Sequence, residues 1–398
     1  MFWTDYALKR AGCRSREEFQ QKNGLHKSGV WDLPTCRALW PWMTGYVNCR
    51  ICGGETLYQL AQQYGTQVRD IVEANRILED RPLLPGQALQ VPLPCTVVDE
   101  ELGFGTQILD IWADGLQARC PWLESEVLTH TADGRPLMAL RLGRGRRRVF
   151  MAASQHANEY ITGILLMQML ESYCDAIRQD KSLFGFSARA LFHGTTLYMV
   201  PLANPGGVDL VTGEIINENA EYKAAKRLSQ SNPGVPFPNG WKANLQGTDL
   251  NLNYPAAWEQ AKAVKASAGV TSPGPRDYAG AQPLDQPETA AIASLVRRIC
   301  PHVLAAWHTQ GGEIYGDDAC GNLPDEDLAR RLACASGYDL KPVPEGSRGG
   351  GLRDWFVEEF HRPGFTIEAG RGESPLPLSD LPQLFKENLP VFALLLAG

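Results

Sequence analysis

The sequence predicts an α/β chain in which a mixed open sheet flanked by helices follows a small strand–helix–helix–strand unit and a short helical segment. Two observations carry this. From about residue 105, strand-like apolar runs near 136–142, 148–153, 195–201, 302–307 and 364–367 alternate with helix-period stretches near 160–178, 284–299 and 377–396. Such alternation is what a helix-flanked sheet requires. Ahead of it, residues 46–95 hold two short amphipathic helices and an alternating strand. The boundaries read as 1–45, 46–95, a proline- and charge-bearing linker at 96–104, and 105–398. A length of 398 residues suits such a division.

Taken in order, the first block contains Arg16 to Leu25, then Ser28-Gly29-Val30-Trp31-Asp32 and Thr35 to Leu39. It resembles the helix–turn–helix core of the small peptidoglycan-binding domain. In the second block Leu57, Leu60, Ala61 and Tyr64 fall at helical spacing and Gly65 stops the helix. Residues 68–75 give a second helix, and Leu84-Pro85-Gly86-Gln87 turns into a strand where Leu89 and Val91 alternate. The pieces Gly54-Glu55-Thr56-Leu57, Asn75 and Leu84-Pro85-Gly86-Gln87 resemble the LysM domain. That resemblance implies binding of N-acetylglucosamine-containing glycan such as peptidoglycan.

Composition removes other classes. Hydrophobic residues make up 44% and charged residues 21%, so the chain folds. A formal charge of −7 without a dense Lys/Arg run argues against nucleic-acid binding, and Arg144 to Arg148 reads as the solvated start of a strand. The best apolar run, Ile161 to Leu170, is about half the length a bilayer needs, so a core helix is expected and membrane partners are not. The first residues lack the features of a secretory signal. A cytoplasmic location is therefore expected, with a sporulation-related or cell-wall association as the wall-binding pieces suggest. Ten cysteines are scattered, at 13, 36, 49, 52, 95, 120, 174, 300, 320 and 334, and reduced thiols are expected. Cys49 and Cys52 have metal-knuckle spacing but no second pair completes a site.

The chemistry lies at three strand ends. The run Val149 to Ala153 leads into a loop with His156 and Glu159, the run from His302 ends on His308, and Gly364 to Ile367 ends on Glu368. An open α/β sheet places reactive residues at such ends. Two imidazoles and a carboxylate make a three-ligand catalytic zinc site with one position left for water, and the remaining carboxylate can act as base. Further segments follow in order: Asn204 to Asp209, Gly247 to Pro255, and Pro283 to Thr289. The ordered set, spanning roughly residues 105–398, resembles the zinc carboxypeptidase family.

That resemblance implies one Zn2+ per chain held by His156, Glu159 and His308, with Glu368 as general base and acid. Lys242, after Trp241, stands where the family has its oxyanion-binding arginine, and Asn251 matches the asparagine on the substrate's P1′ side. The next position departs: Leu252 replaces the arginine that clamps a terminal carboxylate. No tyrosine lies between Arg348 and Glu368, where digestive members carry a mobile one. With LysM-like modules ahead of it, the chain resembles bacterial γ-D-glutamyl-diamino-acid endopeptidases, which cut between D-glutamate and diaminopimelate or lysine in peptidoglycan stem peptides. Arg348, Arg353 and Arg371 are then the candidates for recognising the diamino acid. Two alternatives stay open: a metallocarboxypeptidase acting on ordinary peptides, and a glycan-binding protein whose peptidase-like domain is inert.

Overall fold

A computed structural model describes residues 3–317 and 321–398. The chain divides into two compact units, residues 1–103 with 107–124 and 174–179, and residues 104–106 with 125–173 and 180–398.

In the first unit four short helices, α1 (Trp3–Arg10), α2 (Arg16–Lys22), α3 (Leu33–Leu39) and α4 (Pro41–Thr44), pack around Tyr6, Phe19, Leu39 and Met43. Ser15 and Asp32 cap α2 and α3 by accepting from the amides of Glu18 and Thr35, which satisfies donors that helix starts leave orphaned. There follow β1 (Tyr46–Arg50), α5 (Leu57–Tyr64), α6 (Val68–Asn75) and β2 (Ala88–Pro92), with β1 and β2 antiparallel. Leu57, Leu60, Ile71, Leu89 and Val91 form its core. A capping box of Thr56 and Gln59 opens α5, and Gly65 closes it at φ 68°, a conformation that favours glycine. The Asn75 amide has a structural reason: it donates to Gln90 O at 2.7 Å and accepts from Gln90 N at 2.9 Å, joining α6 to β2. Helix α7 (Thr106–Arg119) carries Arg119, whose guanidinium donates to Gly45 O and Leu93 O at 2.9 Å each.

The second unit begins with β3 (Glu124–His130), β4 (Pro136–Gly143), β5 (Arg147–Ala153) and α8 (Ile161–Arg178). A hairpin of β6 (Ser182–Leu183) and β7 (Phe186–Ser187) leads to α9 (Ala188–Gly194), β8 (Thr195–Val200), α10 (Pro205–Val211), α11 (Ala220–Leu228) and α12 (Trp258–Ser267). Then come α13 (Pro287–Ile299), β9 (Val303–His308), β10 (Glu313–Tyr315), α14 (Glu326–Ser336), β11 (Asp339–Lys341), α15 (Leu352–Phe360), β12 (Gly364–Glu368) and α16 (Leu381–Ala397). Eight strands form one sheet in the order β11-β10-β12-β9-β5-β8-β4-β3. Neighbours β12, β9, β5 and β8 are parallel, as are β10 and β11, while β10 runs antiparallel to β12 and β4 to β8. The sheet is the expected mixed one. Its central strands carry apolar runs because both faces are covered, and β5 from Val149 to Ala153 is wholly buried.

Some expectations need adjustment. Arg147 and Arg148 are half-buried rather than solvated, and Arg147 donates to Leu395 O at 3.3 Å. The nine described cysteines are free thiols, and Cys320 lies outside the described residues. Among the described residues, no helix is long and apolar enough to cross a membrane.

Candidate active site

β12, β9 and β5 lie side by side, so their C-terminal ends meet at one edge of the sheet. Leaving β5, the chain bends at Ser154, whose φ of 54° lies in the left-handed region. The Ser154 amide donates to Thr162 Oγ1 at 3.1 Å, which fixes the bend. Asn204 ties this loop to the one carrying Lys242, since its Nδ2 donates to Gln155 O at 3.1 Å and Ala243 O at 3.0 Å. The Ala157 amide adds a bond to Lys242 O at 3.0 Å. Trp241, fully buried, donates from Nε1 to Ala243 O at 2.8 Å. The loop is over-determined by hydrogen bonds, and that holds His156 and Glu159 still.

The two imidazoles and the carboxylate converge. Glu159 Oε1 lies 2.9 Å from His156 Nδ1, Glu159 Oε2 lies 3.0 Å from His308 Nδ1, and the two Nδ1 atoms are 3.3 Å apart. Ligands on tetrahedral corners at bonds of about 2.0–2.1 Å sit roughly 3.3 Å from one another, so this donor set fits one zinc ion. Both rings turn Nδ1 inward and are held from behind. His156 Nε2 meets Asp249 Oδ1 at 3.2 Å, and His308 Nε2 faces the Gln155 amide at 3.2 Å. Outer partners of this kind fix the tautomer of a ligating histidine.

Charges in the cluster respond to one another. Burial pushes the His156 imidazole down, but Glu159 and Asp249 more than reverse this and raise it to about 9. Burial would raise Glu159, yet His156 and Lys242 hold it well below the usual carboxylate range. Lys242 Nζ lies 3.2 Å from Glu159 Oε1 and stays charged, its burial outweighed by Glu159 and Asp249. Glu368 ends β12 directly beside His308 in the parallel register. Burial first, and then the negative charge of Glu159, push its carboxyl up to about 8.

Glu368 and Asn251 share a cavity of about 170 Å³ with Tyr315, Arg353 and Asp354. Asn251 Oδ1 also accepts from the Leu352 amide at 3.1 Å. Leu252 is elsewhere: its side chain is buried with Trp258 and Ala279. Of the three arginines, Arg353 alone lines the cavity with Glu368. It is 5% exposed, pairs with Asp354 at 3.1 Å, and has Nε without a partner. Arg348 pairs with Asp317 at 2.7 Å, and Arg371 is exposed. Sequence reasoning assigned no role to Asp249, Gln155 or Tyr315. Asp249 was within reach, because a ligating histidine needs an acceptor behind it and an aspartate stood in the Gly247 to Pro255 segment. Nothing in the pattern pointed to Tyr315, which arrives from the short strand β10.

Comparison with known proteins gives the same picture. A family model described as zinc carboxypeptidase matches residues 109–391, and a LysM domain model matches residues 53–92. Over 279 residues the chain is 36% identical to gamma-D-glutamyl-L-diamino acid endopeptidase 1 of Lysinibacillus sphaericus, covering 70% of this chain and 68% of that one. It is 32% identical over 332 residues to the uncharacterized protein YqgT of Bacillus subtilis strain 168, covering 82% and 84%. Among solved structures, bovine thrombin-activatable fibrinolysis inhibitor matches with a TM-score of 0.57 at 18% identity, covering 74% of this chain and 96% of that one. Carboxypeptidase A from Helicoverpa armigera matches with a TM-score of 0.53 at 17% identity, covering 74% of each. At such identities the two structures speak to the fold alone.

Proposed function

The chain belongs to the zinc carboxypeptidase family, and on that premise we propose that it hydrolyses the γ-D-glutamyl bond to diaminopimelate or lysine in peptidoglycan stem peptides. It is a zinc peptidase carrying a LysM domain. The finer reading is carried by the 36% identity to a protein named as a gamma-D-glutamyl-L-diamino acid endopeptidase. Leu252, in place of a carboxylate-clamping arginine, supports it from the sequence, since that position offers no cation to a terminal carboxylate.

In this reading His156, Glu159 and His308 hold the zinc, and Asp249 and Gln155 keep both rings aimed at it. Zinc bound there supplies a water acidified to about pKa 7 and polarises the scissile carbonyl. Glu368 takes a proton at its carboxylate and returns it to the leaving amine, work suited to a group poised near neutral pH. Lys242 brings positive charge to the side where an oxyanion develops. Asn251 and Arg353 receive the diamino acid in the cavity beside Glu368, with Arg353 supplying the cation that position 252 lacks. Residues 105–398 carry out hydrolysis, while residues 46–95, with the helical segment 1–45, attach the enzyme to glycan.

Mass spectrometry of purified muropeptides after incubation with the enzyme tests this. Tripeptide and tetrapeptide stems should release L-Ala-D-Glu and a fragment beginning with the diamino acid. Removal of only a terminal D-alanine, or of ordinary C-terminal residues from plain peptides, would make it a carboxypeptidase. No turnover of either substrate by zinc-loaded protein would leave the glycan-binding reading.

A further inference from the structure

Two clefts open on the first unit, and their charges are opposite. One, of about 540 Å³, is formed around Tyr58 and Leu83 and is lined by Glu55, Glu79, Asp80 and Arg81, three acids against one base. The other, of about 1020 Å³, lies between the α2–α4 helices and the β1–α5 part of the strand–helix–helix–strand unit. Its lining includes Lys22, Arg37, Trp40, Trp42, Gln62 and Gln63 and, among the described residues, no Asp or Glu. In a chain of net charge −7, a large cleft whose only charges are positive runs against the overall balance. Lys22 is held by Glu18 at 2.9 Å, whereas Arg37 meets no carboxylate among the described residues. Trp40 is 44% exposed and is propped edge-on against Trp3, ring centroids 5.6 Å apart.

An exposed indole, free amides and an unpaired guanidinium around one concave space are the features of a site for a polar ring compound with negative charge. We propose that this second cleft binds an amino-sugar strand bearing carboxylates, Arg37 pairing with a carboxylate while Trp40 and Trp42 flank the sugar rings. The acidic cleft would repel such groups and suits uncharged sugar units. The proposal rests on the peptidoglycan-binding reading above and is independent of the peptidase reading.

Isothermal titration calorimetry on the full chain tests it with two tetrasaccharides of equal length. One is chitotetraose, which is uncharged. The other is a peptide-free strand of alternating N-acetylglucosamine and N-acetylmuramic acid, whose lactyl groups carry free carboxylates. Neither contains a peptide bond joining amino acids, so failure of the peptidase assignment does not touch the result. The carboxylate strand should bind roughly tenfold more tightly at low salt, as one charge-assisted pair gives, with the advantage shrinking as salt is added. Arg37→Glu, checked for an unchanged melting temperature, should abolish that preference and leave chitotetraose affinity as it was. Trp40→Ala should weaken the carboxylate strand as well. Equal affinity of the unaltered protein for both strands, or an Arg37→Glu variant that keeps the preference, overturns the proposal.

Discussion

Glu159, in the loop that follows β5, and Glu368, at the end of β12, are two carboxylates on either side of β9's end, and their surroundings treat them oppositely. Glu159 has every oxygen engaged, Oε1 with His156 and Lys242 and Oε2 with His308 and the Thr309 amide. Its charge is therefore favoured, and it stays ionised despite burial. Glu368 faces a cavity instead and feels the negative charge of Glu159, so burial and repulsion both push it up, to about 8. On the proposed reading, one environment suits a fixed ligand and the other a proton carrier. Pairs of acids driven apart in this way mark the division of labour in hydrolytic sites.

The largest effect should come from breaking the first environment. His308→Ala should reduce zinc from about one equivalent per chain to a small fraction, with activity lost alongside it. Metal analysis after dialysis reads this, and full zinc content with full activity would remove His308 from the ligand set. Breaking the second environment should leave the metal in place. Glu368→Gln should retain zinc while kcat falls roughly 10²–10⁴-fold, and loss of zinc in this variant would mean that the two carboxylates share one role. A third substitution asks whether position 252 can take part in recognition at all. Leu252→Arg should cost about 3–5 kcal/mol, because the cation would enter the apolar cluster with Trp258 and Ala279. Urea unfolding measures the cost, and a stable variant that gains carboxypeptidase activity would show that this side chain reaches the substrate after all.

The smallest effect concerns a third buried acid that resembles neither of the other two. Glu288 is 1% exposed and has Oε2 without a partner. Burial raises its carboxyl to about 7, only partly offset by its hydrogen bonds. The folded state thus holds this proton more tightly than the unfolded chain, where the value is about 4.3. Its contribution is full below about pH 4.3 and is lost as pH rises through about 7. Glu288→Gln should flatten this part of the stability profile by about 2 kcal/mol, read as the difference in unfolding free energy between pH 5 and pH 7.5. A parallel profile in the variant would assign the slope to other groups.

What could be read from the sequence followed the same divide. Strands β5, β9 and β12 announced themselves because parallel strands covered on both faces read as apolar runs; β9 and β12 end on His308 and Glu368, and β5 leads into the loop that carries His156 and Glu159. The short strands β11, at the sheet's edge, and β10 beside it, of three residues each, had no such signal. The cavity beside Glu368 was correspondingly hidden, since Tyr315 comes from β10 and Arg353 from α15, with no periodicity linking them. Leu252 was visible as a departure, but not that its side chain turns into an apolar cluster. Asn75 was visible as a motif residue, and only the structure supplies its bridge to Gln90.

The parallel register that sets Glu368 beside His308 also dictates when activity can arise during synthesis. Domains gather their contacts as the chain emerges from its N-terminal side. β12 is the final strand in sequence, yet it takes an interior place in the sheet, between β9 and β10. A nascent chain halted before residue 364 already contains all three candidate ligands but lacks the strand that carries the proposed base. It also leaves one side of β9 as an unpaired edge. On the proposed reading, the base therefore joins the three ligands only once β12 inserts between β9 and β10.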